Sequence, residues 1–263
     1  MINIKQAKEQ FNKFINTYED KETVGFTLKV KHTNRVINIS KIIVKNLKLT
    51  KEEQKLAELI ALLHDIGRFD EITFFKQYNS AKFDHAGQGI KILFEDNKIR
   101  DYIKEDTYDE IIKKAVKYHS LKEIPEGLNE EELLQTKIIR DADKLDNLKL
   151  RIKTKAEKCF PGNFKNKSDV ENSYISEKVY KSIMNKECVD VKDRETPLDL
   201  FICVLGFIYD LNFIESLEIV KENDYINKLI DKFNYNNIET KERMEEIRKI
   251  LNNYIEEKIA SKI

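Results

Sequence analysis

The chain has 263 residues, 41% of them hydrophobic, which is enough to bury a substantial core as one large domain or as a domain with an extension. Its 47 basic and 47 acidic side chains cancel, so charge gives no case for a nucleic-acid or membrane partner. Only seven glycines and three prolines occur, which favours long helices with short connections. We therefore predict an all-α fold.

Two further features concern the compartment. Charges interrupt residues 1 to 31 throughout, and the longest apolar run, residues 198 to 213, carries Asp199 and Asp210 and is shorter than the roughly 20 residues that span a bilayer. The three cysteines form no close pair, and their odd number argues against a disulfide framework. We expect a cytoplasmic protein with reduced thiols.

In the first half of the chain, apolar spacing predicts helices over about residues 4 to 18 and from about residue 27. Thr50 and Glu53 have the spacing of a capping box, which predicts a third helix that runs to His64 and is ended by Gly67. The aromatic-rich residues 68 to 83 are interpreted as a connection that either lines a pocket or only covers the core. Further helices are expected from the cap Asp84, over residues 108 to 118, and over residues 129 to 150.

After residue 151 the clear chemical motifs stop. A loop is expected at Pro161 and Gly162, and helices are predicted at about residues 174 to 184, 198 to 219 and 239 to 259. Because no linker or repeat separates the halves, we expect residues 1–150 to form a metal-binding helical domain. Residues 151–263 would be a helical extension packed on it, within one structural unit.

The best clue to function is the placement of the four histidines, which are His32, His64, His85 and His119. Each falls on its own predicted helix, and Asp65 follows His64 directly. Neutral imidazoles and carboxylates suit Zn, Fe, Mn or Co, whereas an all-oxygen calcium site would not recruit histidines. Taken singly, each could instead be a buried histidine bonded to a carbonyl, but together they predict one metal site.

The order of these residues and three local strings resemble the HD-domain metal-dependent phosphohydrolase superfamily, over about residues 31 to 150. The string HDIGR at residues 64 to 68 resembles the HDIG variant of the family. The string HAGQGI that begins at His85 resembles a helix start with a glycine four residues on, and ADKL at residues 142 to 145 resembles a further signature. The expected fold is an HD-domain helical bundle with a helical C-terminal extension.

The resemblance implies two metal ions, which could be Fe, Mn, Co or Zn. One ion would be held by His32, His64, Asp65 and Asp143, while Asp65 would bridge to a second ion held by His85 and His119. Asp141 is the alternative carboxylate, and Asp143 is preferred because it matches the ADKL string. Asp146, one turn later, is a candidate partner of a ligand or of a bound water.

The reaction implied is hydrolysis of a phosphoester bond in a small nucleotide or related phosphorylated metabolite by a metal-activated water. Asp65 and Arg68 are the catalytic candidates, since the planar fork of Arg68 suits a phosphate. The alternative for Arg68 is a surface ion pair with Asp70 or Glu71. Lys144 is a further candidate phosphate contact, and its alternative is a lysine on the helix surface.

Among related activities, the cyclic-dinucleotide branch is disfavoured because Tyr118 stands where that branch has a second histidine. The alarmone-hydrolase branch is disfavoured because Gly67 and Arg68 replace its two acidic residues. Two other functions stay open. The same ligand order is similar to diiron oxygenases of the superfamily, and the chain could also be a nucleotide-binding regulator that has lost turnover.

Overall fold

A computed structural model describes residues 2–75, 83–159 and 166–261. These residues form helices and turns and contain no strand, which confirms the predicted all-α class. The described part of the chain includes no helix that is both long and apolar enough to cross a membrane. The chain divides into two compact units, Met1–Asp143 and Lys144–Ile263.

The helices of the first unit, which shares its last helix with the second, are α1 Ile4–Asn16, α2 Val24–Asn46, α3 Lys51–Leu63, α4 Arg68–Phe75, α5 His85–Ile90, α6 Ile99–Tyr102, α7 Asp109–Tyr118 and α8 Glu130–Lys153. A 3₁₀ turn occupies Glu19–Glu22, and a π-helical segment, Lys91–Glu95, continues α5. In this unit α2 packs on α3, α5 on α7, and α1 on both α3 and α6.

Helix α3 lies at the centre of the first unit. Each of its residues from Leu56 to Leu63 is buried, and a helix that is enclosed on all sides belongs in a core. The predicted capping box is present, since the Thr50 side chain accepts from the Glu53 amide and the Glu53 carboxylate accepts from the Thr50 amide. Because the cap fixes where α3 begins, it helps to determine that His64, at the other end of the helix, lies in the interior.

The second unit contains α9 Ala156–Cys159, α10 Lys167–Glu171, α11 Glu177–Met184, α12 Pro197–Ile202, α13 Ile214–Glu222, α14 Tyr225–Ile230 and α15 Ile238–Ala260, with 3₁₀ segments at Val191–Asp193 and Cys203–Asp210. The long helix predicted over residues 198 to 219 is wrong, because α12 ends at Ile202 and α13 begins only at Ile214. Residues 201 to 206 are all buried, so their apolar pattern carries no helical period that could reveal the break.

Two boundaries in the first unit also differ from expectation. Helix α2 begins at Val24 because the Thr23 side chain accepts from the Phe26 amide and caps it earlier. The expected connection after Gly67 is wrong over residues 68 to 75, which form α4, with Phe69 buried against Phe26. Residues 76 to 82 of that segment and the loop expected at Pro161 and Gly162 lie outside the described residues.

Candidate metal centre

The HDIG string forms the turn between α3 and α4. His64 is the C-cap of α3 and is completely buried, and Asp65 is 4% exposed. The Nδ1 atom of His64 lies 2.9 Å from the Ala61 carbonyl oxygen, one turn back on the same helix. A ring that donates from Nδ1 to a carbonyl presents the lone pair of Nε2, which is the form a metal ligand requires.

His119 repeats this arrangement at the end of α7. It is the C-cap of that helix, and its Nδ1 atom lies 2.7 Å from the Val116 carbonyl oxygen. Its Nε2 atom lies 3.4 Å from the Nε2 atom of His85, the first residue of α5. The start of α5 and the end of α7 therefore bring two more ring nitrogens close together.

The Asp65 carboxylate lies between the four histidines. Its Oδ2 atom is 3.2 Å from Nε2 of His64 and 3.5 Å from Nε2 of His32. Its Oδ1 atom is 3.5 Å from Nε2 of His119 and 3.6 Å from Nε2 of His85. Each oxygen thus faces one pair of histidines.

Asp143 completes the group from α8. Its Oδ1 atom lies 3.1 Å from Nε2 of His32, and candidate ligand atoms of His32, His64 and Asp143 all lie within 4.8 Å of one another. The same limit holds for His64, Asp65 and His119. Asp141, the alternative carboxylate, is completely buried but belongs to neither of these two groups. The structure therefore brings together the six residues expected to act as ligands.

Two buried atoms of this cluster test whether a metal ion would fit it. Nε2 of His64 and Oδ1 of Asp65 are buried and form no hydrogen bond within the described part of the chain. Leaving a buried polar atom unsatisfied costs about 1–3 kcal/mol, so such atoms usually mark an ion or a water. Imidazole and carboxylate donors of this kind fit a divalent transition metal.

A family model, described as HD domain, matches residues 30–148 and so includes all six clustered side chains. This segment is an HD domain. No curated protein and no solved structure matches the chain. Members of the HD-domain family are generally metal-dependent phosphohydrolases, and the family binds divalent metals.

Burial sets the protonation of the HD-domain cluster. It lowers the pKa of His64 and lowers that of His85 to about 2, so both rings are neutral near pH 7. Burial alone would raise the pKa of Asp65, but the positive charge of Lys29 and the neighbouring histidines hold it well below its ordinary value. Burial alone would also raise the pKa of Asp143, but the hydrogen bond with His32 and the neighbouring charges of His32 and His64 together hold it low. All four groups are in the form that binds a cation.

The glycine of the HDIG string, Gly67, is required at its position for a steric reason. A Cβ atom on Gly67 would lie 2.2 Å from the His85 carbonyl oxygen and 2.6 Å from the Gly89 amide nitrogen. Contacts this short do not occur, so only glycine lets α5 approach the turn after α3. The close approach brings His85 to the Asp65 carboxylate.

Arg68 lies beside the cluster rather than on the open surface. Its side chain is 14% exposed, and its Nη1 atom donates to Oε2 of the fully buried Glu71 at 2.6 Å. Its Nε atom lies 3.6 Å from Oδ1 of Asp65. The pair with Glu71 that was the alternative for Arg68 is therefore present, but it holds the guanidinium at the site.

Two lysines were misjudged from the sequence. The Lys29 ammonium contacts Oδ2 of Asp65 and was missed, although it stands one helical turn before His32 and so shares its face. Lys144 is not on the helix surface, since its side chain is 10% exposed and its Nζ atom lies 2.9 Å from Oδ2 of Asp210. That pairing belongs to the second unit and gives Lys144 a structural partner.

Proposed function

We propose that this HD domain is a binuclear metal-dependent phosphohydrolase that cleaves a phosphoester bond of a small nucleotide or a related phosphorylated metabolite. The observation that carries the proposal is the division of the Asp65 carboxylate, with Oδ2 toward His32 and His64 and Oδ1 toward His85 and His119. A carboxylate that offers one oxygen to each of two pairs of ring nitrogens is suited to bridging two cations.

In this proposal the residues fall into two sets. His32, His64 and Asp143 would hold one ion together with Oδ2 of Asp65. His85 and His119 would hold the other together with Oδ1. Both ions would be divalent, and Fe, Mn, Co and Zn all accept this donor set.

When bound, such a pair of ions polarises a phosphate oxygen and lowers the pKa of the attacking water. The chain itself supplies the charge that binds the substrate. Lys29 and Arg68 approach Asp65 from its two oxygens, and both are cations that a phosphate can engage. Because Arg68 is held by Glu71, its fork is oriented before the substrate arrives.

A substrate screen tests the reaction. Purified protein, reconstituted separately with Mn, Co, Fe or Mg, is incubated with phosphomonoesters, nucleotides and dinucleotides, and released phosphate and oxygen uptake are both recorded. We expect metal-dependent release of phosphate from a small phosphoester, which Asp65→Asn abolishes. Substrate-dependent oxygen uptake without phosphate release would replace the proposal by a diiron oxygenase. Nucleotide binding without any product under every metal would indicate a regulator.

The two-ion part of the proposal has its own test. Elemental analysis of His85→Ala and His119→Ala should give about half the metal of the wild-type protein, because each variant lacks a ligand of one set only. His32→Ala and Asp143→Ala should instead weaken the set that contains His64. Wild-type metal content in both His85→Ala and His119→Ala would contradict a second ion held by those histidines.

A further inference from the structure

Arg140 is the largest side chain that is completely enclosed in the described part of the protein, with 1% of its surface exposed. Its Nη1 atom donates to the carbonyl oxygens of Leu121 at 2.5 Å and Tyr118 at 3.1 Å, and lies 3.5 Å from that of His119. Its Nη2 atom donates to the Lys122 carbonyl oxygen at 3.2 Å. One guanidinium therefore forms hydrogen bonds both with the end of α7 and with the turn that follows it.

A buried guanidinium is costly unless its N–H groups are matched, so this placement needs a physical reason. The last carbonyls of a helix have no partner within the helix, and a left-handed glycine usually helps to satisfy them. Residues 118 to 122 contain no glycine and no residue with positive φ. Arg140 takes over this capping role, and its charge is favourable at the negative end of the helix dipole.

The two helices that the hydrogen bonds of Arg140 connect each contribute a residue to the metal cluster. His119 is the cap of α7, and Asp143 stands three residues after Arg140, on the same face of α8. One set of ligands depends on the position of His119, and the other depends on Asp143. The hydrogen bonds of Arg140 connect these two helices at the site.

We propose that Arg140 is a positioning residue that fixes His119 relative to Asp143 and thereby sets the affinity for the second ion, an inference that rests on the proposed binuclear function. Loss of a residue that supports a metal ligand typically weakens metal binding about 10- to 100-fold. Arg140→Lys keeps the charge but loses the planar fork, so it cannot reach four carbonyls. It should raise the Kd of the second ion by about 10- to 100-fold while leaving the Kd of the first unchanged.

The experiment is a Mn²⁺ titration by calorimetry of wild-type, Arg140→Lys, His119→Ala and the double variant. The double variant should bind Mn²⁺ as His119→Ala does, because Arg140 acts through that histidine. Arg151→Lys is the matched control, since Arg151 is a buried arginine further along α8 whose Nη1 atom contacts Asn147. Equal weakening of both ions in Arg140→Lys, or no weakening of either, would overturn the inference.

A measurement on the metal-free protein separates this inference from the binuclear proposal. In wild-type protein, ¹⁵N NMR should show His119 as the single tautomer protonated at Nδ1, and Arg140→Lys should show both tautomers while His64 is unchanged. If the wild-type protein binds only one ion, the binuclear proposal fails and the spectra decide the role of Arg140. Two tautomers in Arg140→Lys then support positioning of His119, and an unchanged His119 signal overturns it.

Discussion

The second unit and the metal cluster of the first unit both hold charged side chains away from solvent, but they use them differently. In the second unit the Asp199 carboxylate is completely buried and accepts the backbone N–H groups of Ser176 and Glu195 at 3.0 Å and Thr196 at 3.1 Å. In the same unit the half-buried Lys232 ammonium donates to the carbonyls of Arg151, Ile152 and Thr154, where α8 ends. These charges are matched to the backbone, and they cap helices and turns.

In the first unit the buried groups of the metal cluster face one another. The Nε2 atoms of the four histidines converge on the oxygens of Asp65 and Asp143. In His64 and His119 the Nδ1 atom donates to a backbone carbonyl, so Nε2 can only accept and cannot satisfy a carboxylate oxygen. Asp199 and Asp65 are thus both buried carboxylates, but different groups surround them. Asp199 is matched by backbone N–H donors, whereas Asp65 is flanked by imidazole nitrogens together with the cations Lys29 and Arg68.

Replacing these two aspartates gives the largest expected contrast. Asp65→Asn should lose nearly all bound metal and all metal-dependent activity, because one substitution removes a ligand from both sets. Asp199→Asn should keep wild-type metal content but lose about 1–3 kcal/mol of stability, since its amide group cannot accept from all three N–H donors. Elemental analysis of the metal-loaded proteins measures the loss of metal. Thermal unfolding of the metal-free proteins measures the loss of stability. Full metal content in Asp65→Asn would remove the basis of the proposed site.

Two glycines provide a second and smaller contrast. Gly67→Ala should destabilise the first unit by about 1–3 kcal/mol and displace α5, so the ion held by His85 and His119 should be lost. At Gly206 the nearest atom to a Cβ would be the Glu187 carbonyl oxygen at 3.0 Å, which would have to move by only a few tenths of an ångström. Gly206→Ala should therefore cost less stability and leave metal content unchanged. Denaturant unfolding and metal analysis test both variants, and equal metal content in the two would show that the position of α5 does not matter to the site.

The sequence predicted the all-α class and the grouping of the six clustered side chains, and the reason for the grouping is physical. His64, Asp65 and Gly67 act through a local turn, and Thr50 caps its helix through a residue three positions away, so short spacings contain the information. Lys29 was missed although its spacing from His32 was informative.

Features that depend on distant partners were not predictable in this way. Lys144 is buried by its pairing with Asp210, and Arg140 by carbonyls of a turn that precedes it in the chain. The break between α12 and α13 lies in a stretch that is enclosed on all sides, where apolar residues occur whether or not the helix continues. Tertiary surroundings decide such features, and no local pattern records them.

The smallest expected effect compares two arginines that pair with glutamates. Arg68 is held by Glu71 beside Asp65, whereas Arg243 of the second unit pairs with Glu177 and Glu239 through its Nη2 atom. Loss of a charged hydrogen bond costs about 1.5–3 kcal/mol, so Arg68→Ala should lower kcat/KM about 10- to 100-fold without removing metal. Arg68→Lys should recover only part of this loss, because a point charge replaces a planar fork.

Arg243→Ala is the control for the loss of an arginine–glutamate pair, and it should leave kcat/KM unchanged. Steady-state kinetics with the phosphoester found in the screen, together with metal analysis of each variant, makes the comparison. Unchanged kinetics in Arg68→Ala would mean that its pair with Glu71 is as structural as that of Arg243, and that Lys29 alone among these cations contacts the phosphate. If kcat/KM falls in Arg68→Ala but not in Arg243→Ala, the contrast between the units applies to arginines as well as to buried carboxylates. An arginine–glutamate pair then stabilises the second unit, whereas in the first unit such a pair holds a substrate-binding group.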